Sequence, residues 1–139
     1  MQQFLNNRTY FAGSSGLFST AHDYLMFEQM LANKGELNGK RLLGPKTVEL
    51  MSSNFVGDLF NDPENQQQGR GFGLSVQVLL DGVKAGSGRT NGSFGWGGAF
   101  GTVSWTDPEE EIAAVIMLHQ PVRQVQRDFE YAIRQAIIE

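Results

Sequence analysis

The sequence predicts an α+β fold: an antiparallel sheet of about three strands, a C-terminal helix packed across it, and two N-terminal helices. Three observations carry that prediction. Val122, Val125, Phe129, Ala132, Ile133, Ala136 and Ile137 recur at helical spacing, with Arg123, Gln126, Arg127, Glu130 and Arg134 elsewhere around the turn, so one face should lie on a sheet. Phe72, Leu74, Val76, Val78 and Leu80 alternate with Gly73, Ser75 and Gln77, the period of a strand with one dry face. Near the N-terminus, two apolar segments begin with helix-start signals.

Residues 1–18 show no clean period and predict irregular structure. Thr20 can cap a helix, with Asp23 in the acidic place of a capping box. That helix should run to about Asn33 with Tyr24, Phe27, Met30 and Leu31 facing inward, and Lys34-Gly35 should stop it. Gly44-Pro45 opens a shorter helix over Lys46–Ser53, because proline tolerates a first helical position. Residues 54–70 form a polar loop of a length that is usually functional or mobile. Beyond the alternating strand, Asp81-Gly82 signals a turn, and Val83–Ser93 is glycine-rich without a period. Ala99–Thr106 reads as a strand with Val103 and Trp105 on one face, and Asp107-Pro108-Glu109-Glu110 as a turn. Ile112–Leu118 is apolar throughout and predicts a central strand covered on both faces. No linker divides the chain, so residues 1–139 read as one unit.

Composition removes several function classes. Net charge is −4, from 11 basic and 15 acidic residues, with no basic stripe of the kind a nucleic-acid partner needs. Without cysteine there is no disulfide, thiolate nucleophile or cysteine-bound zinc. No apolar run approaches the ~20 residues of a membrane span, and Met1-Gln2-Gln3-Phe4 does not resemble a signal peptide.

Chemistry is hard to find. A serine nucleophile needs an adjacent base, yet no serine has lysine three places on, and Gly-x-Ser-x-Gly is absent. Ser52-Ser53-Asn54 reads as a helix-ending cluster, and Glu109-Glu110-Glu111 as solvated charge. His22 and His119 lie far apart in sequence without metal-ligand spacing, and neither a phosphate loop nor a dinucleotide fingerprint is present, so neither metal nor cofactor is expected. The remaining candidate is Phe94-Gly95-Trp96-Gly97-Gly98-Ala99-Phe100-Gly101-Thr102. A glycine pair at a strand entry leaves backbone bare, to pair with an extended substrate on a sheet edge or to aim N–H groups at an oxyanion. The same residues read equally as a bulge beside a buried tryptophan.

Four segments in order resemble the class C β-lactamase-like serine hydrolases, a family of β-lactamases, esterases and penicillin-binding proteins. They are Gly16-Leu17-Phe18-Ser19-Thr20-Ala21-x-Asp23; Gly35-x-x-x-Gly39-x-x-Leu42-Leu43; Gly95-Trp96-Gly97-Gly98-Ala99-Phe100-Gly101-Thr102; and Trp105-x-Asp107-Pro108-Glu109. With the terminal helix, the likeness runs from about Tyr10 to Glu139. It implies part of a β-lactamase/transpeptidase-like fold. Trp96-Gly97-Gly98 stands where lactamases carry Lys-Thr-Gly, which implies the esterase-like branch. The Ala99 N–H would donate to the oxyanion, and Trp96, Gly97 and Gly98 would border the substrate, a small ester, amide or β-lactam. The family's Ser-x-x-Lys and Tyr-x-Asn motifs lie upstream of the matched segment, so this chain alone should be inactive. No metal or organic cofactor is implied. Family members occur in the periplasm, outside the cell and in the cytoplasm, so the compartment stays open. Two alternatives are a non-catalytic peptide- or cell-wall-binding module of the same fold, and a piece that self-associates through the face left by a missing lobe.

Overall fold

A computed structural model describes Gly13 and residues 16–60 and 67–137. Most of the expected irregular entry, and the polar run at 61–66, lie outside the described residues.

Helix α1 (Ala21–Ala32) starts where its cap predicts: Thr20 Oγ1 accepts from the Asp23 amide at 3.1 Å and donates to Asp23 Oδ2 at 2.9 Å. A small hairpin follows, β1 (Glu36–Leu37) and β2 (Lys40–Arg41), joined by Asn38-Gly39 with φ of 50° and 74°. Both turn residues are left-handed, as a two-residue hairpin turn requires. Helix α2 (Pro45–Met51) carries its proline in the first turn.

The sheet has five strands, not about three: β3 (Arg70–Phe72), β4 (Gln77–Leu79), β5 (Phe94–Gly97), β6 (Val103–Asp107) and β7 (Ile112–Ile116), each antiparallel to the next. The alternating segment at 72–80 is in fact a turn and a strand. Phe72 pairs with Gln77, Gly73 N–H donates to the Val76 carbonyl at 2.8 Å, and Ser75 takes φ 67°. A Cβ on Gly73 would overlap the Met51 carbonyl, so the chain turns there while packed against the end of α2. Asp81-Gly82 is not a simple turn: Asp81 caps a one-turn helix α3 (Gly82–Ala85) through Oδ1, which accepts from Lys84 N–H at 3.1 Å. The segment expected as one strand over Ala99–Thr106 divides, with Ala99 in the β5–β6 connection. Strand β7 lies at the end of the described sheet rather than at its centre, and only Ala114 of it is fully buried. Its continuous apolar run reflects partial cover from both sides.

Register assigns the faces. Phe94 pairs with Thr106 and Trp96 with Ser104, so these share one face; Gly95 and Trp105 share the other. On the first face Val78 and Phe94 join Met30 and Leu31 of α1, Val48 of α2, and Val76 in one buried cluster. Each such large side chain contributes roughly 1.5–3 kcal/mol by leaving water. On the second face lies α4 (Arg123–Gln135), whose Phe129 meets Trp105 edge to face at 5.4 Å between ring centroids.

Helix α1 buries Met30 and Leu31 as its spacing predicts, but Phe27 stays exposed beside Tyr24. The inward position belongs instead to Glu28, at 2% exposure. Thr106 Oγ1 donates to its carboxylate at 2.7 Å. Burial holds this carboxyl above the usual carboxylate range, while the Ser104 and Thr106 hydroxyls pull it back. A raised carboxyl contributes stability that is complete below the unfolded value of about 4.3 and is lost as pH rises through the folded one. Glu28→Gln, neutral at every pH, is therefore expected to raise the urea midpoint over the parent chain at pH 8, with the gain shrinking at pH 4. A difference that does not vary with pH would contradict this.

Candidate functional site

Strand β5 carries the candidate site at its C-terminal end. Strand β4 reaches β5 only at Phe94 and Gly95, because the turn preceding β4 folds away. On that side Trp96 and Gly97 meet no strand partner among the described residues. On the other side they pair with Ser104 and Val103 of β6. β5 is thus an interior strand whose last two residues keep one open edge.

The connection to β6 is a tight turn. Gly98 N–H donates to the Thr102 carbonyl at 2.7 Å, and Gly101 N–H donates to the Gly98 carbonyl at 2.9 Å. Ala99 and Phe100 form its exposed tip. The Ala99 amide makes no hydrogen bond to any described residue. Gly98 is not equally available, since its amide and its carbonyl are both taken within the turn. The far end is anchored: Gln126 Nε2 donates to the Gly101 carbonyl at 3.1 Å, and a Cβ on Gly101 would crowd Gln120 and Pro121.

The glycines here differ in kind. A Cβ on Gly95 would overlap the Ser104 carbonyl, so Gly95 serves close strand packing. At Gly97 and Gly98 the nearest atoms would lie 3.5 Å and 3.6 Å away, ordinary contacts, and neither residue takes a positive φ. Nothing among the described residues requires glycine at those two positions.

Trp96 is 53% exposed, so the alternative of a bulge beside a buried tryptophan does not describe it. Its ring is braced edge to face by Phe72 at 5.3 Å. The buried tryptophan is Trp105, on the opposite face.

Other sequence candidates settle into structural roles. Ser52 Oγ and Ser53 Oγ donate to helix carbonyls at 3.1 Å and 2.7 Å, ending α2. Asn54 Oδ1 accepts from the amides of Val56 and Phe72, fastening the following loop to β3. His22 and His119 are exposed. Among the described residues no group of three or more His, Asp or Glu side chains is placed to hold a metal. No described helix is long and apolar enough to cross a membrane.

Two residues escape sequence reasoning. Asp107 is buried, and its Oδ2 accepts from Ser93 Oγ at 2.9 Å and Thr90 N–H at 3.1 Å. Glu130, expected away from the apolar face of α4, points inward: Oε1 accepts from Ser87 Oγ and Gly88 N–H, both at 2.7 Å, and Oε2 pairs with Arg89 Nε at 3.3 Å. Arg89 lies over the Trp105 ring, 5.3 Å from its centroid.

The chain is an α+β unit: a five-stranded antiparallel meander with helices on both faces, whose β5–β6 connection is a glycine-rich turn beside an exposed tryptophan. The Beta-lactamase family model matches residues 2–137, and the chain belongs to that family. It is 36% identical over 115 residues to Protein Rv1367c of Mycobacterium tuberculosis, covering 74% of this chain and 27% of that protein. It is 32% identical over 113 residues to a Putative D-alanyl-D-alanine carboxypeptidase of Salmonella gallinarum, covering 79% of this chain and 24% of that one. Among solved structures, EstCE1, a hydrolase with promiscuous acyltransferase activity, superposes with a TM-score of 0.75 at 28% identity, covering 94% of this chain and 32% of that chain. Simvastatin synthase (LovD) of Aspergillus terreus superposes with a TM-score of 0.65 at 25% identity, covering 86% and 35%. The chain thus spans about a quarter of the length of these curated relatives and about a third of these solved structures. The fold is that of the β-lactamase-like serine hydrolases.

Proposed function

We propose that this chain is the C-terminal segment of a serine hydrolase of the esterase/β-lactamase type, working through an acyl-enzyme on a small ester, amide or β-lactam. The Ala99 N–H is the donor to the reacting carbonyl oxygen. Trp96, Gly97 and Gly98 border the substrate, with the Trp96-Gly97-Gly98 sequence favouring the esterase-like branch. The observation that carries this is the amide at Ala99, on an exposed residue and without a hydrogen-bond partner among the described residues, next to two glycines that no described contact requires. A pre-aimed donor of this kind stabilises an oxyanion by ~3 kcal/mol. Bare backbone at Gly97 and Gly98 lets a bound acyl group come close. The likeness to EstCE1, a hydrolase with promiscuous acyltransferase activity, lends weight to acyl-transfer chemistry.

The nucleophile is not among these 139 residues, since no serine here has lysine three places on. A donor without a nucleophile cannot form an acyl-enzyme. The purified chain is expected to hydrolyse p-nitrophenyl acetate no faster than buffer. Turnover abolished by a serine-directed reagent would refute the reading.

The open edge of Trp96 and Gly97 favours a second reading, a non-catalytic module that seats an extended peptide or cell-wall strand there. Tight binding of a peptidoglycan fragment to the chain by calorimetry would support the module over the hydrolase. We also propose self-association through the face left by a missing lobe; Phe55, Leu59, Leu74, Trp96 and Phe100 are all exposed, and contiguous apolar surface favours association. Sedimentation velocity is expected to show mass rising with concentration, and a strict monomer at high concentration would count against it.

A further inference from the structure

The sequence holds two Asn-Gly pairs, Asn38-Gly39 in the β1–β2 turn and Asn91-Gly92 in the loop before β5. Glycine leaves the amide nitrogen that follows an asparagine unshielded, so backbone there can attack the neighbouring side-chain amide. All four residues are exposed, so exposure does not separate the two pairs. Hydrogen bonding separates them. Asn91 Oδ1 accepts from the Gly82 N–H of α3 at 2.9 Å, and the Gly92 N–H donates to the Leu79 carbonyl of β4 at 2.7 Å. Both reacting groups of that pair are thus already held. At Asn38-Gly39, neither the side chain nor the glycine N–H bonds any described residue. Beyond its chain neighbours, no described atom lies within 4 Å of where a Cβ on Gly39 would stand. The flanking strands have two residues each, short enough for the hairpin to open locally while the rest of the fold stays closed.

We propose that Asn38 is a site of self-modification, converting through a cyclic imide to aspartate and isoaspartate, while the fold preserves Asn91 in the same dipeptide. The Gly39 nitrogen bonds to Asn38 Cγ, the Cγ–Nδ2 bond breaks, and ammonia leaves with the proton that the Gly39 nitrogen gives up. Water then opens the ring, and no oxidant or reductant is needed. Its attack at Cγ yields aspartate; its attack at the main-chain carbonyl yields isoaspartate, whose main chain runs through the former side chain. The two products differ in consequence. Asp-Gly suits the same left-handed turn as Asn-Gly, so aspartate leaves the hairpin intact. Isoaspartate lengthens the main chain inside a two-residue turn, which breaks the pairing of Leu37 with Lys40 and of Glu36 with Arg41. That hairpin places Arg41, which donates to Glu36 Oε2 at 2.6 Å and to the Lys34 and Leu43 carbonyls at 2.9 Å and 3.2 Å. Isoaspartate at this turn therefore loosens the link between α1 and α2.

The test ages the 139-residue chain in mildly alkaline water enriched in heavy oxygen, once folded and once in urea. Peptide mapping by mass spectrometry then locates the label, and electron-transfer fragmentation tells isoaspartate from aspartate. In the folded chain, label should enter at Asn38 about tenfold faster than at Asn91, where two hydrogen bonds must first open. In urea the two should react alike. The isoaspartate form, separated by chromatography, should exchange its Leu42 and Leu43 amide hydrogens faster than the parent chain. Both amides bond the Gly35 carbonyl, at 2.9 Å and 3.1 Å, beside the base of the hairpin. Asn38→Asp, which reproduces the other product, should exchange them like the parent. Four outcomes would overturn the proposal. They are no conversion at Asn38, equal conversion of Asn91 in the folded chain, a difference that persists in urea, and unchanged exchange at Leu42 and Leu43 in the isoaspartate form. The third would assign the difference to the flanking residues rather than to the fold.

Discussion

Replacing Trp105 by alanine is expected to lower unfolding free energy by about 3–5 kcal/mol, the range for deleting a fully buried large aromatic ring. Trp105 is 3% exposed on the second strand from the sheet's end, and it holds α4 to the sheet through Phe129. Its loss also uncovers the Arg89 guanidinium that rests on the ring. Urea unfolding of the two chains by circular dichroism measures the difference. A cost under about 1 kcal/mol would mean that α4 is held by something else.

The second large effect centres on Glu130. Glu130→Ala leaves Arg89 partly buried without its counter-charge and strips the loop before β5 of the acceptor for Ser87 and Gly88. Breaking such a pair from one side costs about 3–5 kcal/mol when it is fully buried. Partial exposure brings the expectation here to roughly 2–3 kcal/mol. Glu130→Gln keeps an acceptor oxygen and should lose less. Removing Arg89 as well should recover part of the cost, so the Glu130→Ala/Arg89→Met double variant is expected to be more stable than the sum of its single changes. Strict additivity in that cycle would show that the two side chains do not act as a pair.

The helices are legible because local chemistry fixes them. Thr20 with Asp23, Pro45 at a first turn, and the apolar stripe from Val122 to Ile137 each announce an element without help from distant residues. The sheet is less legible for a specific reason. Phe72, Leu74, Val76 and Val78 alternate through the connection between β3 and β4, so periodicity alone cannot separate a turn plus a strand from one long strand. What breaks the strand is the left-handed backbone at Ser75 and the close approach of Gly73 to Met51, both set by packing. Asn38-Gly39 is a hairpin signal in plain form, but strands of two residues give no alternation to notice. Ile112–Leu118 poses the other side of the same problem, since a strand at the end of the described sheet, half covered on each face, reads like a central one.

At the candidate site, the glycine-rich stretch is visible as composition, and the likeness to the family supplies its meaning. Which glycines serve packing and which lie open is not visible. Gly95 and Gly97 look alike in sequence, and only the placement of the Ser104 carbonyl separates them. Glu28 and Glu130 are both polar positions on predicted helices. Thr106 and Arg89 draw them inward from strands and loops that no helical pattern can reveal.

The two tryptophans of this chain occupy opposite surroundings, and that makes them separate optical reporters. Trp96, half in water beside the glycine turn, should emit to the red and yield to acrylamide; Trp105, sealed beneath Phe129, should emit to the blue and resist it. Light absorbed by one chain can therefore tell a ligand settling near the turn from a loosening of the interior, without any added dye.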